Sequence, residues 1–156
     1  MKILVPYDGS PASRAAVDEV ARRPWPRGTE VCVAAVVEDP PSISLAEGGE
    51  LYAPIMERWG ERLREEAHRR VHRALERLEP HPDLEVGFEL RRGSARETLL
   101  ELVRERRTDL VVVGSQGIPG QPGLHIGSVW YVLATHAPCN VEIVRVGSRL
   151  AGDCVP

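Results

Sequence analysis

The stretch DLVVVGSQGIPGQPGLHIGS, residues 109 to 128, decides the fold. It begins with an apolar run rich in valine, which predicts a buried strand over 109–113, and then changes abruptly to glycine and proline. From Gly114 to Ser128 no residue carries a formal charge, and Ser128 opens a predicted helix over 128–136. A buried strand that runs through a glycine-rich turn into a helix is the building unit of a parallel α/β sheet.

The same alternation of strand and helix extends on both sides of this loop. Asp8-Gly9 ends the first strand, and Ser10 and Pro11 then supply an N-cap and a first helical position. A capping-box pattern at 94–97 opens another helix in the same way. The predicted strands cover 2–7, 31–37, 86–90, 109–113 and 141–146, and the predicted helices cover 11–23, 55–78, a segment from Ser94, and 128–136.

This order predicts an α/β fold: one domain over 1–147, with a five-stranded parallel sheet and helices on both faces. Residues 40–54 are expected to form a long loop, and residues 148–156 a flexible tail that includes Cys154. The long second helix should bury one apolar face, made of Ile55, Trp59, Leu63, Ala67, Val71, Leu75 and Leu78.

Composition excludes several classes of protein. The net charge of −3 disfavours a nucleic-acid or anionic-membrane partner, and no apolar run approaches the ~18 residues of a transmembrane helix. The first residues fit a strand better than a signal peptide, so a cytoplasmic location is expected. Three scattered cysteines give no disulfide framework and no CxxC zinc motif, and Cys32 is expected in the core.

The glycine loop is suited to phosphate binding. A helix start carries unpaired amide donors and roughly half a positive charge, and glycine lets the backbone approach an anion closely. The loop has no lysine, so it is not a Walker A motif, and the turn after the first strand lacks the GxGxxG of dinucleotide-binding folds. Its spacing is Gly-x2-Gly-x9-Gly-Ser, with Gly114, Gly117, Gly127 and Ser128 at the named positions.

This spacing resembles the nucleotide-binding signature of the universal stress protein family. The resemblance covers nearly the whole chain, through ILVPYDGSPAS at 3–13, VAAVVEDPP at 33–41, DLVVVGSQG at 109–117 and GSVWYVLATHAPCNVEIVRV at 127–146. It implies a flavodoxin-like or adenine-nucleotide α-hydrolase-like sheet in strand order 3-2-1-4-5. It also implies a protein that binds ATP, with Mg²⁺ or Mn²⁺ as a possible companion ion, and acts in stress response or regulation.

The resemblance further implies which residues would contact the nucleotide, with Asp8 at the ribose or base. On the ribose and adenine side they are Pro6, Tyr7, Asp8, Val36, Val113 and Gly114. On the phosphate side they are Gly117, Gly127, Ser128 and Val129. Because 118–126 contains no arginine or lysine, the phosphate charge would be met by backbone amides, His125 or a divalent cation.

Other interpretations of these residues stay open. Asp8 can be only a turn former before Gly9, and the glycine loop can be only a connector. His68 and His72 have i,i+4 spacing, but a zinc-protease glutamate is missing after the first, so a solvated helix flank is expected. Trp59 is expected in the core or at an interface.

The expected function is binding, with no catalytic residue assigned. The loop holds no carboxylate or lysine for phosphoryl transfer, and no GxSxG nucleophile elbow occurs, so slow ATP hydrolysis is the most that is expected. The alternative is a dimeric interaction module that binds AMP, a cyclic nucleotide or no nucleotide. A homodimer is expected through an edge strand over 141–146, where Glu142 replaces the hydrophobic residue common in the family.

Overall fold

The computed structural model describes residues 1–38, 49–115 and 129–146, without side chains for 49–53. Strands and helices alternate along the chain from end to end. The elements are β1 (Lys2–Pro6), α1 (Pro11–Arg22), β2 (Thr29–Val37), α2 (Gly49–Leu78), β3 (Leu84–Arg92), α3 (Ala95–Glu105), β4 (Leu110–Gly114), α4 (Val129–His136) and β5 (Asn140–Val144).

The five strands form one sheet in the order β3-β2-β1-β4-β5, and every neighbouring pair is parallel. This confirms the predicted parallel sheet and the strand order 3-2-1-4-5. Side chains of β1 alternate between two cores: Ile3 and Val5 pack with α1 and α2, whereas Leu4 packs with α3 and α4. Helices therefore cover both faces of the sheet, as predicted.

The first helix begins where the sequence predicts. Ser10 is its N-cap, and its hydroxyl accepts a hydrogen bond from the Ser13 backbone N–H at 3.1 Å, while Pro11 occupies the first turn. Ser94 likewise precedes α3, but its side chain makes no capping hydrogen bond. Instead the Glu38 carboxylate accepts from the Ala95 backbone N–H at 3.5 Å, so a residue from the end of β2 caps this helix.

The prediction of a loop over 40–54 is wrong for its last six residues, which are helical. The helix α2 already begins at Gly49, and Pro54 lies inside it. A proline removes one intrahelical hydrogen bond without ending the helix when the neighbouring turns hold. Residues 40–48 lie outside the described part of the chain. So does the predicted tail over 148–156 with Cys154.

The apolar face of α2 is buried over only half its length. Val71, Leu75 and Leu78 lie in the core, but Ile55 and Trp59 are 57% and 44% exposed. Ile55 and Trp59 therefore do not belong to the core of this chain, and of the two places expected for Trp59 the interface remains a prediction. A helix of 30 residues extends about 45 Å, whereas β2, with nine residues, extends about 30 Å, so the amino-terminal turns of α2 run beyond the sheet.

Two further sequence predictions concern burial. Cys32 lies in the core as predicted, and burial raises the pKa of its thiol to about 11, so it stays protonated and unreactive at neutral pH. None of the described helices combines the length and the apolar character that crossing a bilayer demands.

Candidate functional site

The candidate site lies where β1 and β4 end side by side. The two strands pair in parallel, with Ile3 opposite Leu110, so the turn after β1 and the end of β4 reach the same edge of the sheet. The backbone N–H of Tyr7 donates to the Ala34 carbonyl at 2.7 Å, which fixes the start of this turn against β2. In parallel α/β sheets, ligands bind at this edge, outside the carboxyl ends of the strands.

Asp8 stands in this turn with only one of its carboxylate oxygens engaged. Its Oδ1 accepts a hydrogen bond from the Ser10 backbone N–H at 2.9 Å, which makes Asp8 a turn former as well as a candidate ligand-binding residue. Its Oδ2 is buried and has no hydrogen-bond partner among the described residues. A buried acceptor without a donor carries a desolvation cost, so this position favours a bound group with a hydroxyl or an N–H.

Arg70 reaches this turn from α2. Its Nη1 donates to the Asp8 backbone carbonyl at 3.4 Å, and its guanidinium also pairs with Glu66. Gly9 has φ +80°, and a Cβ there would stand 3.2 Å from Cδ of Arg70, so glycine permits both the turn and the close approach. Arg70 could not be identified from the sequence, because nothing distinguishes it from the other arginines on this charged helix flank.

Gly114 has a packing role that the sequence did not indicate. A Cβ at this position would lie 2.4 Å from the backbone carbonyl carbon of Ala12, in the first turn of α1. The absence of a side chain therefore lets the start of α1 pack directly on the end of β4. This contact fixes the distance between the Asp8 turn and the beginning of the glycine loop.

The remaining predicted residues fall into two groups. Pro6 and Val113 are buried at the ends of β1 and β4, and Val36 is half-buried near the end of β2. Val129 is 5% exposed and packs into the core with α3, so only its backbone is available to a ligand at the start of α4. The predicted phosphate-side residues outside the described part of the chain are Gly117, Gly127 and Ser128, together with His125.

An open cleft of about 560 Å³ lies beside this edge, between the amino-terminal half of α2 and the ends of β2 and β3. Val37 and Glu38 line it on the sheet side, and Gly60 and Leu63 on the helix side. It begins one residue beyond Val36, the residue that the resemblance places at the adenine edge. The Val36 side chain itself packs on the α3 and α4 face of the sheet, so the cleft lies on the opposite face, toward α2.

No metal centre is formed by the described residues, among which no three metal-ligating side chains converge. His68 and His72 are exposed, as predicted for a solvated flank, and their rings lie 4.7 Å apart. Both rings contact Phe88 on β3, with centroid distances of 5.2 and 5.8 Å. The two histidines therefore form part of an aromatic surface cluster.

Comparison with known proteins identifies the family. The model of the universal stress protein family matches residues 1–145. Universal stress protein MJ0531 of Methanocaldococcus jannaschii is 27% identical over 146 residues, which are 92% of this chain and 81% of the relative. Universal stress protein YxiE of Bacillus subtilis is 27% identical over 148 residues, which are 92% and 98% of the two chains. The chain belongs to the universal stress protein family.

Solved structures share the fold. Universal stress protein UspA from Lactobacillus plantarum superposes with a TM-score of 0.74 at 22% identity, covering 93% of this chain and 97% of its own. A universal stress protein in complex with cAMP gives 0.61 at 22% identity, with coverage of 94% and 98%. A family protein from Arabidopsis thaliana with AMP bound gives 0.61 at 13% identity, with coverage of 99% and 97%.

Proposed function

We propose that this universal stress protein binds ATP at the carboxyl ends of β1 and β4 and acts in the cytoplasm as a nucleotide-dependent stress-response or regulatory protein. The observation that carries the proposal is the buried Asp8 Oδ2, which lacks a hydrogen-bond partner among the described residues. A ribose hydroxyl donating to this oxygen would form a charge-assisted hydrogen bond and remove the desolvation cost.

The surrounding residues suit the rest of the nucleotide. Val36 and Val113 lie on either side of β1 and would offer backbone contacts, and the cleft beyond the end of β2, on the α2 face of the sheet, would receive the adenine. Gly114, held against Ala12, leads into the loop whose glycines and following helix start would receive the phosphates. Mg²⁺ or Mn²⁺, which this proposal includes, would neutralise phosphate charge and would be held chiefly by the phosphates themselves.

Binding rather than catalysis is the proposed activity. Asp8, the acidic residue at the centre of the site, already uses Oδ1 to hold its own turn through Ser10. A carboxylate committed in this way serves better as a fixed hydrogen-bond acceptor than as a mobile base. We expect at most slow ATP hydrolysis, without an assigned catalytic residue.

Asp8→Asn tests the site, because Asn retains the Oδ1 acceptor for Ser10 and replaces Oδ2 by an amide donor. The expected result is a loss of ATP affinity of roughly tenfold to a hundredfold, measured by titration calorimetry, with an unchanged unfolding midpoint without nucleotide. The matched control is Asp109→Asn. Asp109 accepts from the Lys2 N–H at 2.7 Å at the opposite end of the sheet, and its replacement should leave ATP affinity unchanged.

The same titration decides between ATP and its competitors. AMP and cAMP are the natural comparisons, since family structures carry them, and both lack the β- and γ-phosphates that the loop would hold. We expect ATP to bind more tightly than either. If no adenine nucleotide binds at millimolar concentration, or if Asp8→Asn and Asp109→Asn weaken binding equally, the proposed site is wrong.

We also propose a homodimer through β5, which lies at the edge of the sheet as predicted. Glu142 does not oppose pairing, because Arg23 holds its two carboxylate oxygens at 2.6 and 2.7 Å within the same chain. Ile143 on this strand is 37% exposed, and an edge with apolar side chains is stabilised by a partner strand. Light scattering should give twice the chain mass at micromolar concentration, and a monomer at all concentrations would contradict the dimer.

A further inference from the structure

A second cleft, of about 300 Å³, lies between α1 and α2 and is lined mainly by arginine. Arg14 comes from α1, and Arg70, Arg73 and Arg77 come from α2, with Asp18 as the only acidic lining residue. Four arginines against one aspartate leave a formal surplus of three positive charges, in a chain whose net charge is −3. The residues that line the cleft therefore carry a net positive charge, although the protein as a whole is weakly acidic.

Part of this charge is neutralised within the chain. Arg77 pairs with Asp18 through Nε at 2.7 Å, and Arg70 pairs with Glu66. Arg14 and Arg73 form no ion pair with any residue in the described ranges 1–38, 49–115 and 129–146. Asp18 and Glu66 are thus committed to Arg77 and Arg70, and the guanidinium groups of Arg14 and Arg73 face solvent or a ligand.

Arg73 lies in an arginine-rich part of α2. Its helix neighbours at i−4, i−3 and i+4 are the arginines Arg69, Arg70 and Arg77, and its one acidic neighbour at these spacings is Glu76 at i+3, with which it forms no ion pair. Like charges at these spacings destabilise a helix, in contrast to the Glu65–Arg69 and Glu66–Arg70 pairs one turn earlier. An anion bound between α1 and α2 would relieve this repulsion and engage Arg14 at the same time.

We propose that this cleft is an anion site for a small ligand carrying two or three linked phosphate groups, distinct from the proposed nucleotide site. Guanidinium groups present paired N–H donors that match phosphate oxygens, which favours phosphate over a simple halide counter-ion. The cleft is open to solvent, and its volume is large enough to receive a small molecule between the two helices. Tyr7 and Gly9 line the cleft but the Asp8 carboxylate does not, so the two sites border the same turn through different residues.

The occupant favoured by the geometry is a compact anion rather than a nucleic acid. Four arginines meet in one cleft between two helices, and the net charge of the chain is negative. A nucleic-acid surface would instead need a basic stripe long enough to follow successive phosphates.

The test compares two double variants that each remove two positive charges. Arg14→Gln/Arg73→Gln removes the unpaired arginines of the cleft, and Arg62→Gln/Arg69→Gln removes two exposed arginines of α2 that do not line it. Tripolyphosphate is titrated into the full chain at about 0.15 M salt, where distant surface charges are screened. We expect the first variant to bind about tenfold more weakly or worse, and the second to bind like the wild type.

Three outcomes overturn the proposal: no binding of tripolyphosphate to the wild type, equal weakening in both double variants, or tighter binding of a single-stranded RNA oligomer that the cleft variant abolishes. Circular dichroism and the unfolding midpoint establish that the exposed substitutions leave the fold intact. Asp8→Asn should bind tripolyphosphate like the wild type. Loss of nucleotide binding and loss of this anion site are therefore separable results.

Discussion

Apolar residues recur at i,i+4 spacing in both halves of α2, but the two halves differ in how far these residues are buried. In the carboxyl-terminal half, Val71 and Leu78 are fully buried against the sheet. In the amino-terminal half, Ile55 and Trp59 continue the same i,i+4 series and are 57% and 44% exposed. One sequence pattern therefore produces a core in one half and an open apolar surface in the other.

Two features explain the difference: each i,i+4 step advances about 40° around the helix, which turns Ile55 away from the face of Val71, and the amino-terminal turns run beyond the sheet. Periodicity identifies the face of a helix that prefers burial, but what covers that face depends on elements distant in sequence. Beyond the ends of β2 and β3 the described structure offers the helix no sheet to pack on, and a cleft opens there instead. Apolar side chains that remain exposed are candidates for contact with other molecules.

Leu78→Ala gives the largest effect expected from this contrast. Leu78 is 0% exposed and belongs to the core formed by α1, α2 and the sheet. Truncation removes buried methyl groups and leaves a cavity, so the free energy of unfolding should fall by about 2–5 kcal/mol. Urea unfolding followed by circular dichroism measures this change.

Leu63→Ala is the matched control, with the same chemical change on the same helical face. Leu63 is only half-buried and lines the open cleft, so water replaces the lost methyl groups without a closed cavity. We expect a loss of less than about 1 kcal/mol. Equal losses for the two leucine variants would show that the halves of α2 are equally packed and would refute the comparison.

Much of the fold could be predicted from local patterns. The buried central strands appear as continuous apolar runs, and Ser10 with Pro11 marks the start of α1 through chemistry confined to adjacent residues. Glu38 capping α3 and Arg23 pairing with Glu142 could not be predicted. In these two cases the partners lie 57 and 119 positions apart, and nothing periodic links them.

The candidate site was predicted in position but not in its physical details. Asp8 lies at the expected strand end, yet the isolation of its Oδ2 depends on how neighbouring elements bury it. Gly114 lies at the end of β4 as expected, but its tight contact with Ala12 arises only when α1 packs across the sheet. The sequence therefore predicts that Asp8 and Gly114 lie at strand ends, and tertiary packing decides which of their atoms stay accessible to a ligand at the proposed site.

Gly60→Ala is expected to give the smallest effect. It tests the amino-terminal half of α2 with a substitution that should stabilise the protein rather than destabilise it. Gly60 lies within the helix, and a Cβ there would meet no atom within 4 Å, so alanine gains helix propensity without a clash. The free energy of unfolding should rise by about 0.5–1 kcal/mol, measured by the same urea titration.

Gly114→Ala is the opposing control, since its Cβ would stand 2.4 Å from a backbone carbon of Ala12 and must displace α1. If Gly60→Ala instead lowers stability, a side chain or a second molecule fills the cleft in solution, and the amino-terminal half of α2 is covered after all.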